Sequence, residues 1–107
     1  MKIVEYLTSD GTRPFRNWFD HLDSRAAAKV TTALIRMGLG NTSNVESVGG
    51  GVYERKIDYG PGYRIYFGMD GEKLVVLVGG GTKKRQAQDI ATAGTRWKDY
   101  KKRKKQP

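Results

Sequence analysis

The hydrophobic period of this chain changes once, and that change sets what it can fold into. Phe15, Trp18, Phe19 and Leu22 fall at i, i+3, i+4 and i+7, which is one buried face of a helix. Pro14 sits just ahead of them, where a first helical turn loses nothing from its missing N–H. Asp23-Ser24 ends this helix, and Ser24 is placed to cap a second. Ala26, Val30, Ala33, Leu34 and Met37 then turn inward, while Arg25, Lys29, Thr32 and Arg36 form a polar stripe. Gly38 and Gly40 stop the second helix. From Val52 the pattern is that of strands, over 52–58, 62–68 and 73–78. Residues 74–78 are apolar on both faces, as in an interior strand.

Three further segments complete the outline. Residues 3–7 read as a short strand. Residues 41–51, rich in Gly, Ser and Asn, read as a loop. After Gly79-Gly80-Gly81, Thr82 is placed to cap a last helix whose apolar positions are Ala87, Ile90, Ala91, Gly94 and Trp97. The order is strand, two helices, three antiparallel strands, helix. It predicts an α+β domain with its helices against one face of the sheet. A chain of 107 residues, 37% hydrophobic, suffices for one such core and not two. The expected domain spans 1–100, followed by a basic tail over 101–107.

Side chains set the strand register. If paired positions across Tyr59-Gly60-Pro61 sum to 120, Tyr53, Ile57, Tyr63, Ile65 and Phe67 share one face. Glu54, Lys56, Arg64 and Tyr66 then share the other, with Lys56 directly opposite Arg64. A slip by one residue would mix the two sets. Asp70-Gly71 reads as a two-residue hairpin that pairs Phe67 with Leu74 and Ile65 with Val76. Arg55 alone falls on the apolar face, a position suited to an edge strand from which it can snorkel to water.

Charge narrows the functional classes. The net charge is +9, and setting aside Lys101, Lys102, Arg103, Lys104 and Lys105 lowers it to +4. The cluster reads as a solvated terminus or as an attraction for phosphate. There is no Cys and one His, His21. Disulfides and thiolate zinc sites are thereby excluded, and no metal or other cofactor is expected. No apolar run nears 18 residues, and the first residues do not read as a signal peptide, so the expectation is a cytoplasmic protein with no membrane partner.

Like charges directly opposite in a sheet repel, so Lys56 and Arg64 read as an anion site or as a solvated face balanced by Glu54. Lys83, Lys84 and Arg85 open the last helix, where the dipole disfavours cations but welcomes phosphate. The spacing is not that of a Walker loop. On the anion-site reading, Lys56 and Arg64 together meet a phosphate. Lys83 and Arg85 are placed to hold neighbouring phosphates, and Tyr66 to stack on a base or donate a proton. His21 lies in the first helix and Asp89 is expected on the last helix's surface, so neither joins this set.

These residues lie in a wider pattern: Gly-Tyr-Arg-Ile-Tyr-Phe-Gly over 62–68, the glycines followed by Lys83, Gln86 and Asp89-Ile90, and Trp97-Lys-Asp-Tyr100. Together with the Pro-Phe-x-x-Trp helix start they resemble the RelE/ParE toxin superfamily, most closely its HigB-like, phage-derived branch of addiction-module killer proteins. The resemblance implies a RelE-like fold: an antiparallel sheet, two N-terminal helices packed on one face, and a C-terminal helix. It also implies a toxin neutralised by a cognate antitoxin, often a helix-turn-helix protein. Two activities occur among such toxins: ribosome-dependent endoribonucleases that cut mRNA and block translation, and ParE-like inhibitors of DNA gyrase. An inactive remnant that still binds its antitoxin is a third outcome. Residue by residue, the resemblance gives Arg64, Lys56 and Lys83 to the catalytic set: for RNA cleavage Lys56 is the candidate base or phosphate anchor, and Arg64 the stabiliser of the transition state. Lys84, Arg85, Lys101, Lys102 and Arg103 are expected to meet RNA or the ribosome. Tyr100 is a poor positional match to the C-terminal catalytic tyrosine of some RelE toxins.

Overall fold

The computed structural model describes residues 1–105; the end of the expected tail, 106–107, lies outside them. The chain runs β1 (Lys2–Glu5), α1 (Pro14–Asp20), α2 (Ser24–Gly38), β2 (Val45–Gly49), β3 (Val52–Ile57), β4 (Tyr63–Asp70) and β5 (Leu74–Thr82). A 3-10 turn, Lys83–Arg85, leads into α3 (Gln86–Lys104). The five strands form one sheet in the order β1-β5-β4-β3-β2. All neighbours are antiparallel except β1 and β5, which run parallel. This is the expected α+β architecture.

The N-terminal helices form as their apolar spacing requires. Pro14 opens α1, and Phe15 is buried, with Trp18, Phe19 and Leu22 packed beside it. The cap of α2 is Asp23 rather than Ser24: its carboxylate accepts the Ala26 N–H at 2.9 Å. Ala26, Val30, Ala33 and Met37 are buried, and Gly40, at φ +88°, ends the run after Gly38. Both helices cover Ile65, Phe67, Val75 and Leu77. Each fully buried branched side chain there contributes about 1.5–3 kcal/mol.

The third helix does not join them. α3 packs on the opposite face, over Val52, Tyr66, Val76 and Val78, through Ala93 and Trp97. Both faces of the sheet are therefore covered, which explains why β5 is apolar on both sides. Ala87 and Ala91, expected inward, are exposed, and Gln86 and Asp89 turn toward the sheet in their place.

The β3–β4 register is the one the side chains required, with Lys56 opposite Arg64 and Tyr53 opposite Phe67. The next hairpin differs. Phe67 pairs with Leu77, not Leu74, because three residues, Gly71, Glu72 and Lys73, separate the paired Asp70 and Leu74. A bulge follows: Tyr66 faces Gly79 while Phe67 faces Leu77, leaving Val78 as an extra residue. Gly79, Gly80 and Gly81 are not a turn but the end of β5. Large side chains lie where their Cβ atoms would be: Arg96 at Gly79, Trp18 at Gly80 and Asp89 at Gly81.

Part of the expected 41–51 loop is β2, which makes β3 an interior strand. Arg55 is consequently not at an edge. It is 4% exposed and donates to the Asn41 carbonyl at 2.9 Å. Burial, and then the charge of Arg36, push its pKa down.

Candidate functional site

One row of paired residues crosses three strands: Lys56 on β3, Arg64 on β4 and Gly81 on β5. The row lies on the α3 face, near that helix's N-terminal end. Arg64 is 7% exposed. Its Nη1 donates to the Gly62 carbonyl at 3.1 Å, and its Nε faces Glu54 Oε2 at 3.7 Å. That separation is an ion pair but too long for a hydrogen bond, so Nε is buried without a partner. Glu54 is 1% exposed, and its Oε2 accepts from Gln86 Nε2 at 2.8 Å. A guanidinium is thus anchored on one side and under-satisfied on the other. Gly62 permits this: it sits at φ +79°, and a Cβ there would come within 3.1 Å of Arg64 Nη1.

Lys56 stands next to Arg64 but reaches toward β2. Its Nζ lies 3.4 Å from Glu46 Oε2, with 42% of the side chain exposed. Lys83 reaches the same end of the sheet through its backbone, its N–H donating to the Gly62 carbonyl at 2.8 Å. Lys83, Lys84 and Arg85 are exposed in the 3-10 turn rather than in the helix proper, and Thr82 supplies no side-chain cap. Lys56, Arg64 and Lys83 are therefore neighbours, from positions 27 residues apart in sequence.

Tyr66 departs from its expected role. It is 1% exposed beneath α3, so its ring is not free to stack on a base from the surface. Its hydroxyl is fully buried, with the Glu54 carboxylate beside it. Burial first, then the negative charge of Glu54, pushes its pKa up. Asp89 is not on the outer surface of α3. It lies over Gly81, and burial raises its carboxyl pKa against the opposing pull of Arg85 and Arg96. Sequence reasoning missed Asp89, Arg96 and the part Gln86 plays. The signal available for them was the glycine run, which leaves room for side chains arriving from α1 and α3.

The C-terminal cations form a separate patch. Lys101 to Lys104 are the last turn of α3, roughly 24 Å along the helix from Gln86 at 1.5 Å per residue. Arg103 pairs with Asp99 at 2.8 Å, donates to the Leu7 carbonyl and covers the Tyr6 ring. Lys104 pairs with Asp70, which also accepts from Tyr100 Oη at 2.7 Å. Lys101 lies over Trp97. Tyr100 and these cations tie α3 to the sheet at the end away from Arg64.

A family model, the phage-derived Gp49-like protein, matches residues 17–98, from within α1 to Lys98 in α3. The chain belongs to this family. Gp49-like proteins are RelE-like toxins, the addiction-module killer proteins. An uncharacterized protein of Haemophilus influenzae is 39% identical over 83 residues, covering 77% of this chain and 84% of the relative. The Gp49-like span contains the whole Lys56–Arg64–Gly81 row, Lys83 and Asp89, and stops short of Lys101. Among the described residues, no helix is long and apolar enough to cross a membrane.

Proposed function

We propose that this Gp49-like protein is the toxin of a type II toxin–antitoxin pair, of the HigB-like branch, and an endoribonuclease that cuts mRNA on the ribosome. The observation that supports this reading most is Arg64: a guanidinium fixed by Glu54 and the Gly62 carbonyl on the sheet face, in one row with Lys56 and beside Lys83. Such a group is pre-set for a phosphate, because planar paired donors match phosphate oxygens and need no rearrangement.

In the reaction, the 2′-oxygen attacks phosphorus, the bond to the 5′-oxygen breaks, and the products are a 2′,3′-cyclic phosphate and a 5′-OH. A proton leaves the 2′-OH and one reaches the 5′-oxygen. Arg64 neutralises the charge that gathers on the non-bridging oxygens. Glu54 is a positioning residue, held by Gln86, that orients Arg64. Lys83 and Arg85 hold flanking phosphates. Lys56 takes the role of phosphate anchor: its side chain is partly open to solvent beside Arg64, with Glu46 Oε2 3.4 Å from its Nζ. The partners are the ribosome, mRNA and a cognate antitoxin of the helix-turn-helix type, in the cytoplasm.

Purified protein added to translating ribosomes, with transcript ends mapped by primer extension, tests this. Arg64→Ala is expected to slow cleavage by about 10²–10³-fold, the usual cost of one oxyanion donor. Lys56→Ala should slow it by about tenfold, the loss of one exposed phosphate contact. Intact mRNA together with inhibited gyrase supercoiling would overturn the proposal in favour of a ParE-like target. Expression without growth arrest would make the protein an antitoxin-binding remnant.

A further inference from the structure

A cavity of about 170 Å³ opens beside the C-terminal end of α2, on the sheet face that the N-terminal helices cover. Its walls are almost wholly apolar, supplied by Met1, Met37, Val45, Tyr53, Phe67 and Met69. Three of these are methionines, whose unbranched, polarisable side chains repack readily around an incoming group. Met37 and Phe67 are buried, but Val45, Tyr53 and Met69 are only half-buried and Met1 is exposed, so the cavity reaches the surface. An apolar cavity of ~150 Å³ holds one benzene, so this one takes a single Leu, Ile or Phe side chain.

The apolar surface continues onto α2. Ile35 is 61% exposed and Leu39 83%, and at four residues apart they lie side by side on the outer face of the helix. Leu39 stands between Met37 and Asn41, which both line the cavity, and Met1 lies against Gly38. Among the described residues, three of the four exposed large hydrophobic side chains thus gather at this end of α2. Such residues scattered singly need no explanation, whereas a cluster of them at an apolar cavity marks a place for a partner.

Charge selects the partner. From Ser24 to Val45 the chain has no acidic residue and carries Arg25, Lys29 and Arg36. Arg36 is exposed next to Ile35, with Lys29 two turns before it, and neither forms an ion pair among the described residues. Close to Arg36 lies the buried guanidinium of Arg55, which bonds the Asn41 carbonyl and is likewise without an ion pair. A carboxylate brought to Arg36 from outside relieves the repulsion between these two cations. RNA would meet the cations but offers nothing apolar to Ile35, Leu39 and the cavity. A second copy of this chain, placed by a two-fold axis, would set cation against cation. A protein segment with apolar side chains on one side and acids beside them satisfies both parts of the surface.

We infer that the C-terminal half of α2 and the cavity beside it form the docking surface for the antitoxin. An acidic amphipathic segment of that partner places one apolar side chain in the cavity, packs others on Ile35 and Leu39, and sets carboxylates against Arg36 and Lys29. The identity of the partner rests on the toxin–antitoxin reading; the chemistry of the surface does not.

Calorimetric and NMR titration of the labelled full chain with the purified antitoxin, the product of the neighbouring gene, tests the surface. The methyl signals of Ile35, Met37 and Leu39 and the amides of residues 35–42 should shift. Leu39→Ser and Ile35→Ser remove exposed side chains, so circular dichroism should show the fold intact, and each should weaken binding by about tenfold or more. Arg36→Glu should weaken it as well, and raised salt should weaken the wild-type complex more than the Arg36→Glu complex. In cells, Leu39→Ser should still arrest growth and escape neutralisation at an antitoxin level that silences the wild type. A complex that leaves the residue 35–42 signals unmoved, or that tolerates all three substitutions, would sink the surface and leave the toxin–antitoxin reading standing. Absence of any complex would sink both. A short RNA that shifts these signals as strongly as the antitoxin does, or shifts that follow protein concentration alone, would overturn the inference in favour of nucleic acid or of a second copy.

Discussion

Asp89 illustrates how a half-buried charge can cost the folded state stability. Burial raises its carboxyl pKa above the ordinary value of 3.8. A raised value means that the protonated form is favoured by folding, so the stability Asp89 lends is complete below pH 3.8 and is lost as pH climbs through its folded value. At neutral pH its charge is a burden that the neighbouring Arg85 and Arg96 only partly relieve. Asp89→Asn should therefore raise the urea midpoint at pH 7, with the gain vanishing below about pH 3.8. Paired melts at pH 7 and pH 3 check this, and a variant that is weaker at pH 7 would contradict it. Arg64 belongs to the same category of residue. Its geometry leaves a buried Nε unsatisfied, an arrangement that folding alone does not favour. Sequence pattern identified Arg64 because Gly-Tyr-Arg and the strand register point to it. It could not identify Asp89, whose helical position reads as surface until Gly81 is known to lie beneath it.

Glycines decide the element scale. Gly68 lies under the ring of Trp97, and Gly80 under the ring of Trp18. Both have negative φ, so backbone freedom is not the reason for either. The requirement is space: a Cβ at either position would strike a rigid indole. Gly68→Ala and Gly80→Ala should each lower stability by about 1–3 kcal/mol, the usual cost of overpacking. Gly79→Ala would meet the tip of Arg96 at 2.8 Å, a flexible side chain, and should cost less than either. Chemical denaturation of the three variants gives the order directly, and a Gly79 variant weaker than both others would refute it. The same contacts explain why the glycine run misleads as sequence. Three glycines before a helix have the composition of a turn, yet here they continue β5 as an unobstructed surface on which α1 and α3 lay side chains. The bulge at Val78 has a similar effect. The three-residue turn puts Val75 and Leu77 under the N-terminal helices and Val76 under α3, and the bulge adds one residue to β5, so that Gly79 and Gly81 face α3 and Gly80 faces α1.

For the whole molecule, two carboxylates fasten distant parts of the chain together and a third closes a loop. Asp99 accepts from Tyr6 Oη at 2.6 Å and from Arg103, joining β1's continuation to α3. Asp70 accepts from Lys104 and Tyr100, joining the β4–β5 turn to α3. Asp10 accepts from Thr8 and Thr12 within the first loop. Hydrogen bonding holds all three below the ordinary carboxyl value, Asp10 at about 2. Depressed values mean that the stability they lend is present above pH 3.8 and is lost as pH falls through their folded values. The urea midpoint should thus decline between about pH 4 and pH 2, and Asp99→Asn should make the decline shallower. Circular dichroism melts across that range measure both. An unchanged midpoint down to pH 2 would show that these contacts contribute nothing.

The sequence by itself determined the α+β class, the two N-terminal helices, the β3–β4 register and the pairing of Lys56 with Arg64. Those follow from period and parity, which are local properties readable within a few residues. It also carried the family's motifs and the placement of Lys83 beside them. Tertiary structure alone decided that α3 covers the opposite face, that β2 buries Arg55, and that the C-terminal cations split between a basic patch and contacts with Asp70, Asp99 and Leu7. It alone laid Trp18, Asp89 and Arg96 on the glycines of β5. The reason is physical: these groups come from three separate elements, and they meet only because three small residues on β5 leave the space for them.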